Sequence, residues 1–277
     1  MEQLTDWLNL WRELVELKGE ASSKSKKCRD KSYWKRKANH FKDKGDKGLS
    51  ESGSSRLFIA STLKSNLDST LLDIGAGIGD WSAFLAPYAR EITALEPSAE
   101  MGEMLTETIK AGNVNNVELI KGNWPGIDID RHDYSLASHS MYAETDIKSF
   151  IEKMKSISRK GCFVVSRVLF ADTIMARAAQ RILGQPYDSP CFQVLYNVLL
   201  QMGIYPNVLM ETGKTWKSWS NDSLEEALDE AKNRLGVRDS DQYDDYLVSL
   251  LQAELSQKDG KLIWPAGNGS ALMYWDT

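Results

Sequence analysis

The sequence predicts an α/β protein in which helices wind around both faces of a mostly parallel sheet. Three observations carry that prediction. The chain has 277 residues, 42% of them hydrophobic and 26% charged, enough to bury a full core. Between residues 57 and 168, short apolar runs alternate with helical patterns of about 10 to 15 residues, the order a parallel sheet needs. One of those runs, LLDI at 71–74, opens directly onto a glycine-rich turn.

The elements follow in order. Leu4, Trp7, Leu8, Trp11, Leu14 and Val15 recur at helical spacing, so 4–17 is an amphipathic helix that Gly19 is expected to end. The stretch ASSKSKK at 21–27 reads as a flexible polar connector. A short helix then carries YWKRKANHF at 33–41, and a second break, DKGDKGLSESGSS, follows at 43–55. Helix 57–67, strand 71–74, helix 80–89, strand 91–95, helix 99–111 and strand 117–120 make up the first alternation. Strand 134–138, helix 145–158 and strand 162–168 continue it. After Phe170 the pattern turns helical, at 172–183 and 190–202. A strand at 207–211, helices 223–235 and 242–256, and a last strand at 271–275 complete the chain.

Composition excludes several classes. No run approaches the roughly 18 apolar residues of a membrane span, and Asp6, Glu13 and Glu16 stand where an export signal would be basic and then apolar. A cytoplasmic protein with no membrane partner is expected. Cys28, Cys162 and Cys191 are odd in number and scattered, and with His40, His132 and His139 they form no metal-ligand spacing. No disulfide framework and no metal follow. The net charge of −5 conceals an asymmetry: residues 18–47 hold 12 basic and 4 acidic side chains.

The string LLDIGAGIGDW at 71–81 carries the most chemistry. Glycines between a buried strand and a helix let a ligand approach the backbone and meet the helix N-terminal amides. The glycines are Gly75, Gly77 and Gly79, with Asp80 where the dinucleotide form GxGxxG has its third glycine. No Lys-Ser/Thr pair follows them, so a nucleoside triphosphate loop is excluded. Asp73 precedes the turn, and Glu96 ends the next strand in ALEPS, where a carboxylate is suited to a ribose diol.

From about Leu71 to Val168 this order resembles the cofactor half of the class I S-adenosylmethionine-dependent methyltransferases of the small-molecule type. The resemblance implies a Rossmann-like, seven-stranded sheet whose last strand, 271–275, is antiparallel, with an N-terminal helical lid and a helical insertion after strand five. It implies that Gly75, Gly77 and Gly79 cradle the methionine part of S-adenosylmethionine, that Asp73 shapes the turn and favours the cationic amino group, and that Glu96 holds the ribose. Met101 would lie on the adenine face, with Asn123 and Trp124 at its edge, and Pro97, Ser98 and Ser138, at the end of strand four, would be further cofactor-binding positions. S-adenosylhomocysteine would be the product. The family more often has Asp where Asn123 stands.

Residues just after strand four face the ligand crevice of such sheets, and here they read SHSMY. His139 is the candidate general base, with a positioning role as the alternative. The string lacks the Asn/Asp-Pro-Pro-aromatic signature of base-directed N-methyltransferases, and Asp133 lies at the wrong end of its strand for a catechol enzyme's magnesium. The expected partner is a small-molecule methyl acceptor. Tyr33, Trp34 and Phe41 in the lid segment, with Tyr142 and Arg167, are the candidate acceptor-facing side chains. The basic segment 18–47 keeps three readings: lid, phosphate-binding arm, and solvated face. The alternatives to a small-molecule enzyme are an RNA methyltransferase using that arm and a non-catalytic cofactor-binding protein. The expected organisation is a lid or arm over 1–55, a cofactor-binding core over 56–169, a substrate cap over 170–205, and a completion of the sheet over 206–277.

Overall fold

The computed structural model describes residues 5–24, 53–66, 68–211 and 218–277. In chain order they form α1 (Trp7–Lys24), α2 (Ser54–Lys64), β1 (Thr70–Ile74), α3 (Asp80–Leu85), a 3-10 turn (Ala86–Tyr88), β2 (Glu91–Leu95), α4 (Ala99–Ala111), β3 (Val117–Ile120), β4 (His132–Ser138), α5 (Ile147–Ile157) and β5 (Ser158–Leu169). Then come α6 (Ile174–Leu183), α7 (Phe192–Gln201), β6 (Asn207–Met210), β7 (Ser220–Asn221), α8 (Leu224–Arg234), α9 (Asp244–Glu254), β8 (Ser256–Lys258), β9 (Lys261–Ile263) and β10 (Asn268–Asp276).

Seven strands form one sheet in the order β3-β2-β1-β4-β5-β10-β6. The pairs β2–β3, β1–β2, β1–β4 and β4–β5 are parallel, and β10 runs antiparallel to β6. This is the Rossmann-like sheet that the sequence led us to expect, including its antiparallel last strand. The order reverses between β1 and β4, where the carboxyl ends of a doubly wound sheet open a ligand crevice. Local chemistry sets the helix starts. Ser98, Asp146, Thr173 and Ser223 each accept a hydrogen bond from the amide three residues on, capping α4, α5, α6 and α8.

The described residues fall into two compact units. The sheet unit lies within Lys27–Ser166, Met202–Met210 and Ala271–Thr277, and the helical unit within Met1–Lys26, Arg167–Gln201 and Glu211–Ser270. In the sheet unit Ile59, Ala60 and Leu63 of α2 pack in one buried cluster with Leu71, Leu85, Ile92, Leu136, Phe163, Val165 and Leu272. Each such Leu or Ile contributes roughly 1.5–3 kcal/mol through its burial.

The helical unit has its own core of Ile174, Met175, Ala178, Ala227, Leu247, Leu251 and Trp264, with Trp219 stacked on Trp264 at 5.1 Å and 14°. Here the structure departs from expectation in two ways. First, α1 does not end at Gly19 but runs to Lys24, and it is a packed element rather than part of a free arm. Trp11 and Leu14 are buried and α1 meets α7 and α8. One glycine costs a helix interior only about 1 kcal/mol, so Gly19 alone does not force an end. Second, β7, β9 and β8 form a small antiparallel sheet that the sequence reading lacks, because strands of two or three residues leave no alternation to detect. Its hairpin turns at Asp259 and Gly260, both at positive φ, and that Asp-Gly pair was the available signal. A third, smaller difference lies in the sheet unit: the helix expected over 80–89 splits after Leu85 into a 3-10 turn, where Pro87 has no amide to donate.

Candidate active site

The carboxyl ends of β1, β2 and β4 bring together most of the residues singled out above. Asp73 is the last residue but one of the wholly buried β1, and its carboxylate accepts a 2.6 Å hydrogen bond from Ser82 Oγ on α3. Burial pushes this carboxyl up to about 6. The Ser82 hydrogen bond opposes the rise, the neighbouring Glu96 adds to it, and Arg56 works against it. The turn that follows is built on three glycines with positive φ, Gly75, Gly77 and Gly79. They serve different ends. A Cβ on Gly75 would lie 2.5 Å from Ser140 Cβ, and one on Gly79 would lie 2.9 Å from Leu105 Cγ, so both glycines are required by packing. A Cβ on Gly77 would meet nothing within 4 Å. Its backbone borders open space.

Glu96, 7% exposed at the tip of β2, is fixed by backbone amides: Gly77 N–H donates to one oxygen at 2.9 Å and Ser98 N–H to the other at 2.8 Å. A carboxylate oxygen accepts more than one hydrogen bond, so this cradle aims the group without exhausting it. Pro97 is exposed, and Ser98 Oγ caps α4 by accepting from Met101 N–H at 3.3 Å. Met101 is buried beside Ile78 and Met104. After β3, Asn123 is exposed. Trp124 sends its indole N–H to the Phe150 carbonyl at 3.3 Å and meets the Phe150 ring edge-on, so this donor is committed to α5.

At the end of β4, Ser138 pairs with Val165 and His139 adopts φ +54, a left-handed conformation unusual outside glycine. Its N–H donates to the Val165 carbonyl at 3.0 Å, and its Nδ1 lies 2.8 Å from Tyr142 Oη. Ser140 packs on Gly75, and its Oγ is buried with no hydrogen-bond partner among the described residues. The SHSMY turn therefore sits against the glycine turn. His132, at the opposite end of the strand, differs in kind. It is held between Thr93 Oγ1 and the Asp130 carbonyl, and burial lowers its pKa, as suits a structural histidine.

Arg167, on β5, donates to Ser189 Oγ and the Pro190 carbonyl, each at 2.9 Å, within the helical unit. Cys162 and Cys191 are fully buried thiols whose pKa values burial raises, that of Cys191 to about 11, so neither supplies a thiolate. Tyr33, Trp34, Phe41 and residues 25–47 of the basic segment lie outside the described residues. Three participants escaped the sequence reading. Ser82 and Arg56 lie on neighbouring helices with no motif spacing to Asp73, whereas Ser140 stood inside a string already under scrutiny. Among the described residues no group of His, Cys, Asp and Glu is arranged to hold a metal, and no helix is long and apolar enough to cross a membrane.

Residues 71–161 match the family model described as a methyltransferase domain. This stretch carries a methyltransferase domain. No curated protein matches the chain in sequence. Among solved structures, the plantazolicin methyltransferase BpumL in complex with S-adenosylhomocysteine shares the fold at a TM-score of 0.54 and 15% identity, covering 97% of this chain and 99% of its own. The YcgJ protein from Bacillus subtilis aligns at a TM-score of 0.49 and 13% identity over 79% of this chain and 97% of its own. The residues of the methyltransferase domain fit the cofactor on three counts. Gly77 borders open space, Glu96 is a pre-aimed carboxylate, and Ser140 holds a buried hydroxyl still without a partner beside Gly75.

Proposed function

We propose that the chain transfers a methyl group from S-adenosylmethionine to an O, N, S or C nucleophile of a small molecule. The observation that carries this reading is the placement of the Glu96 cradle and the glycine turn against the SHSMY turn, with one histidine at the sheet's carboxyl edge. When bound, the cofactor supplies a methyl carbon on a sulfonium that a nucleophile displaces. Everything else falls to the chain. Glu96 would hold the ribose diol, Asp73 the cationic amino group, and Met101 with Asn123 the adenine. Pro97 and Ser98 set the entry to α4, and Trp124 acts by packing rather than through its committed N–H. The Ser138 backbone fixes where His139 stands. An acceptor bearing a proton would give it to His139, while an acceptor that is already a free lone pair would need only alignment in a dry pocket.

The SHSMY turn supports a small acceptor, because it lacks the signature that clamps a flipped base. The neighbour that spans both units is named for plantazolicin and holds S-adenosylhomocysteine, in keeping with this reading. The lid role of Tyr33, Trp34 and Phe41 and the acceptor role of Arg167 belong to the same proposal. The test is incubation with methyl-labelled S-adenosylmethionine and a metabolite extract. Label in small molecules is the expected result. Label in RNA would transfer the role to segment 18–47, and binding without any label transfer would make the chain a cofactor-binding protein.

A further inference from the structure

A glycine turn of this kind is expected to offer its backbone amides to an anion, but here the amides are already engaged. Of the five in Gly75 to Gly79, four donate inside the protein. Gly75 and Ala76 N–H both reach the Leu95 carbonyl, at 2.8 and 3.0 Å, and Gly79 N–H reaches the Ala76 carbonyl at 3.0 Å. Gly77 N–H goes to Glu96 at 2.9 Å. Each amide has one hydrogen to give, so within the turn only Ile78 N–H is left for a ligand. The amino-acid end of S-adenosylmethionine carries a carboxylate, which accepts about four hydrogen bonds when fully satisfied. Its donors must come from another element.

The turn after β4 supplies one. A side-chain-bearing residue at positive φ persists only where its surroundings fix it, and His139 stands at φ +54 with its amide tied to the Val165 carbonyl at 3.0 Å. The next residue, Ser140, is thereby laid on the glycine turn. The Cβ that Gly75 lacks would lie 2.5 Å from Ser140 Cβ and 3.2 Å from Ser140 Oγ. Ser82, Ser135 and Ser158 in the same unit each pair their buried hydroxyls, whereas Ser140 Oγ is buried and makes no hydrogen bond. The residue as a whole is part-exposed, and a serine hydroxyl moves between staggered positions, so an incoming acceptor can draw it out. We propose that Ser140 donates to the carboxylate of the bound cofactor, in place of the amides of the glycine turn. The glycines then serve as shape: Gly75 makes room for Ser140, and Gly77 makes room for the ligand. This rests on the cofactor site proposed above, with Asp73 facing the amino group and Glu96 the ribose.

The test is a cycle of two deletions, one on each partner. Full-length wild type and Ser140→Ala are titrated by calorimetry with S-adenosylmethionine and with its decarboxylated form, which lacks only the carboxylate. The variant keeps the Cβ that packs on Gly75 and loses a hydroxyl that pairs with nothing, so it should fold as the wild type does. Ser140→Ala should weaken S-adenosylmethionine at least about tenfold and leave the decarboxylated form within about twofold, because both deletions remove the same contact. Equal losses for the two ligands would place Ser140 elsewhere on the cofactor or in the scaffold, and unchanged affinity for S-adenosylmethionine would leave the carboxylate to other donors. Either result overturns the proposal. Failure of the cofactor site itself reads differently: the wild type would then bind neither ligand. Glu96→Ala completes the comparison, since the ribose is common to both ligands and its loss should weaken them alike.

Discussion

Two buried aspartates, one in each unit, face opposite circumstances. Asp73, in the sheet unit, has burial and Glu96 against its charge, and its carboxyl rises to about 6. Asp188, in the helical unit, suffers the same burial, yet Arg234, Arg167 and Ser189 outweigh it and hold the carboxyl below the usual range. Arg234 reaches one Asp188 oxygen through both Nε at 3.0 Å and Nη2 at 2.5 Å, and lies over the Trp219 ring at 5.5 Å. One carboxylate already has its cation inside the protein. For the other, Ser82 and the more distant Arg56 do not offset burial, and we propose that the cationic amino group of the cofactor does. Buried charge marks a scaffold when it is satisfied and a site when it is not.

The largest effect should come from breaking the satisfied pair. Asp188→Ala leaves Arg234 without its carboxylate, and a loss of about 3 kcal/mol of unfolding free energy is expected by denaturant titration. A loss below about 1 kcal/mol would mean that the pair is solvated after all. Glu96→Ala, which frees the Gly77 and Ser98 amides, should be read on the ligand, weakening S-adenosylhomocysteine by roughly 1.5 to 3 kcal/mol in calorimetry, the range for a hydrogen bond to a charged group. Unchanged affinity would remove the ribose assignment.

Asp73 sharpens the contrast through pH. Its folded pKa lies above the ordinary 3.8, so between about pH 4 and 6 the folded chain binds more protons than the unfolded one. Stability without cofactor should therefore fall as pH rises through this window, by up to about 1.4 kcal/mol per pH unit. Asp73→Asn should flatten that slope. Cofactor affinity should move the other way, tightening as Asp73 ionises. Denaturant titrations at pH 4.5 and 6.5 with no difference between wild type and Asp73→Asn would remove the effect.

The two units were also unequally legible. In the sheet unit apolar runs and glycines fall at fixed offsets, because a strand buried on both faces and a turn at positive φ admit few residue types. Strand 91–95 was therefore readable to the residue, and helix 99–111 and the partly exposed strand 117–120 were readable from their apolar spacing. Glu96 was readable because it ends a strand. The Ser82 contact to Asp73 was not, since a hydroxyl on the following helix has no periodic signature. In the helical unit, tertiary packing decided against local cues. Gly19 looked like a helix end, yet α1 runs past it to Lys24, with Trp11 and Leu14 buried in its first half. The cost of deleting residues 1–41 therefore differs from what a free arm would give, because the deletion would open the core of the helical unit.

The smallest expected change in stability distinguishes two glycines of one turn. Both have positive φ, so an added methyl costs each about 1–2 kcal/mol of backbone strain. For Gly77 that is the whole penalty, since its Cβ would enter open space. For Gly79 the methyl also meets Leu105 Cγ at 2.9 Å, and α3 and α4 must part to admit it. Gly77→Ala should then unfold only slightly earlier than the wild type, and Gly79→Ala distinctly earlier. In cofactor affinity the order inverts, because the space over Gly77 is what the cofactor would occupy and the methyl would fill it. Calorimetry on the two folded variants reads this directly. Gly77→Ala binding S-adenosylhomocysteine as tightly as the wild type would mean that the open face of the turn is not where the cofactor lies, whatever Glu96 does.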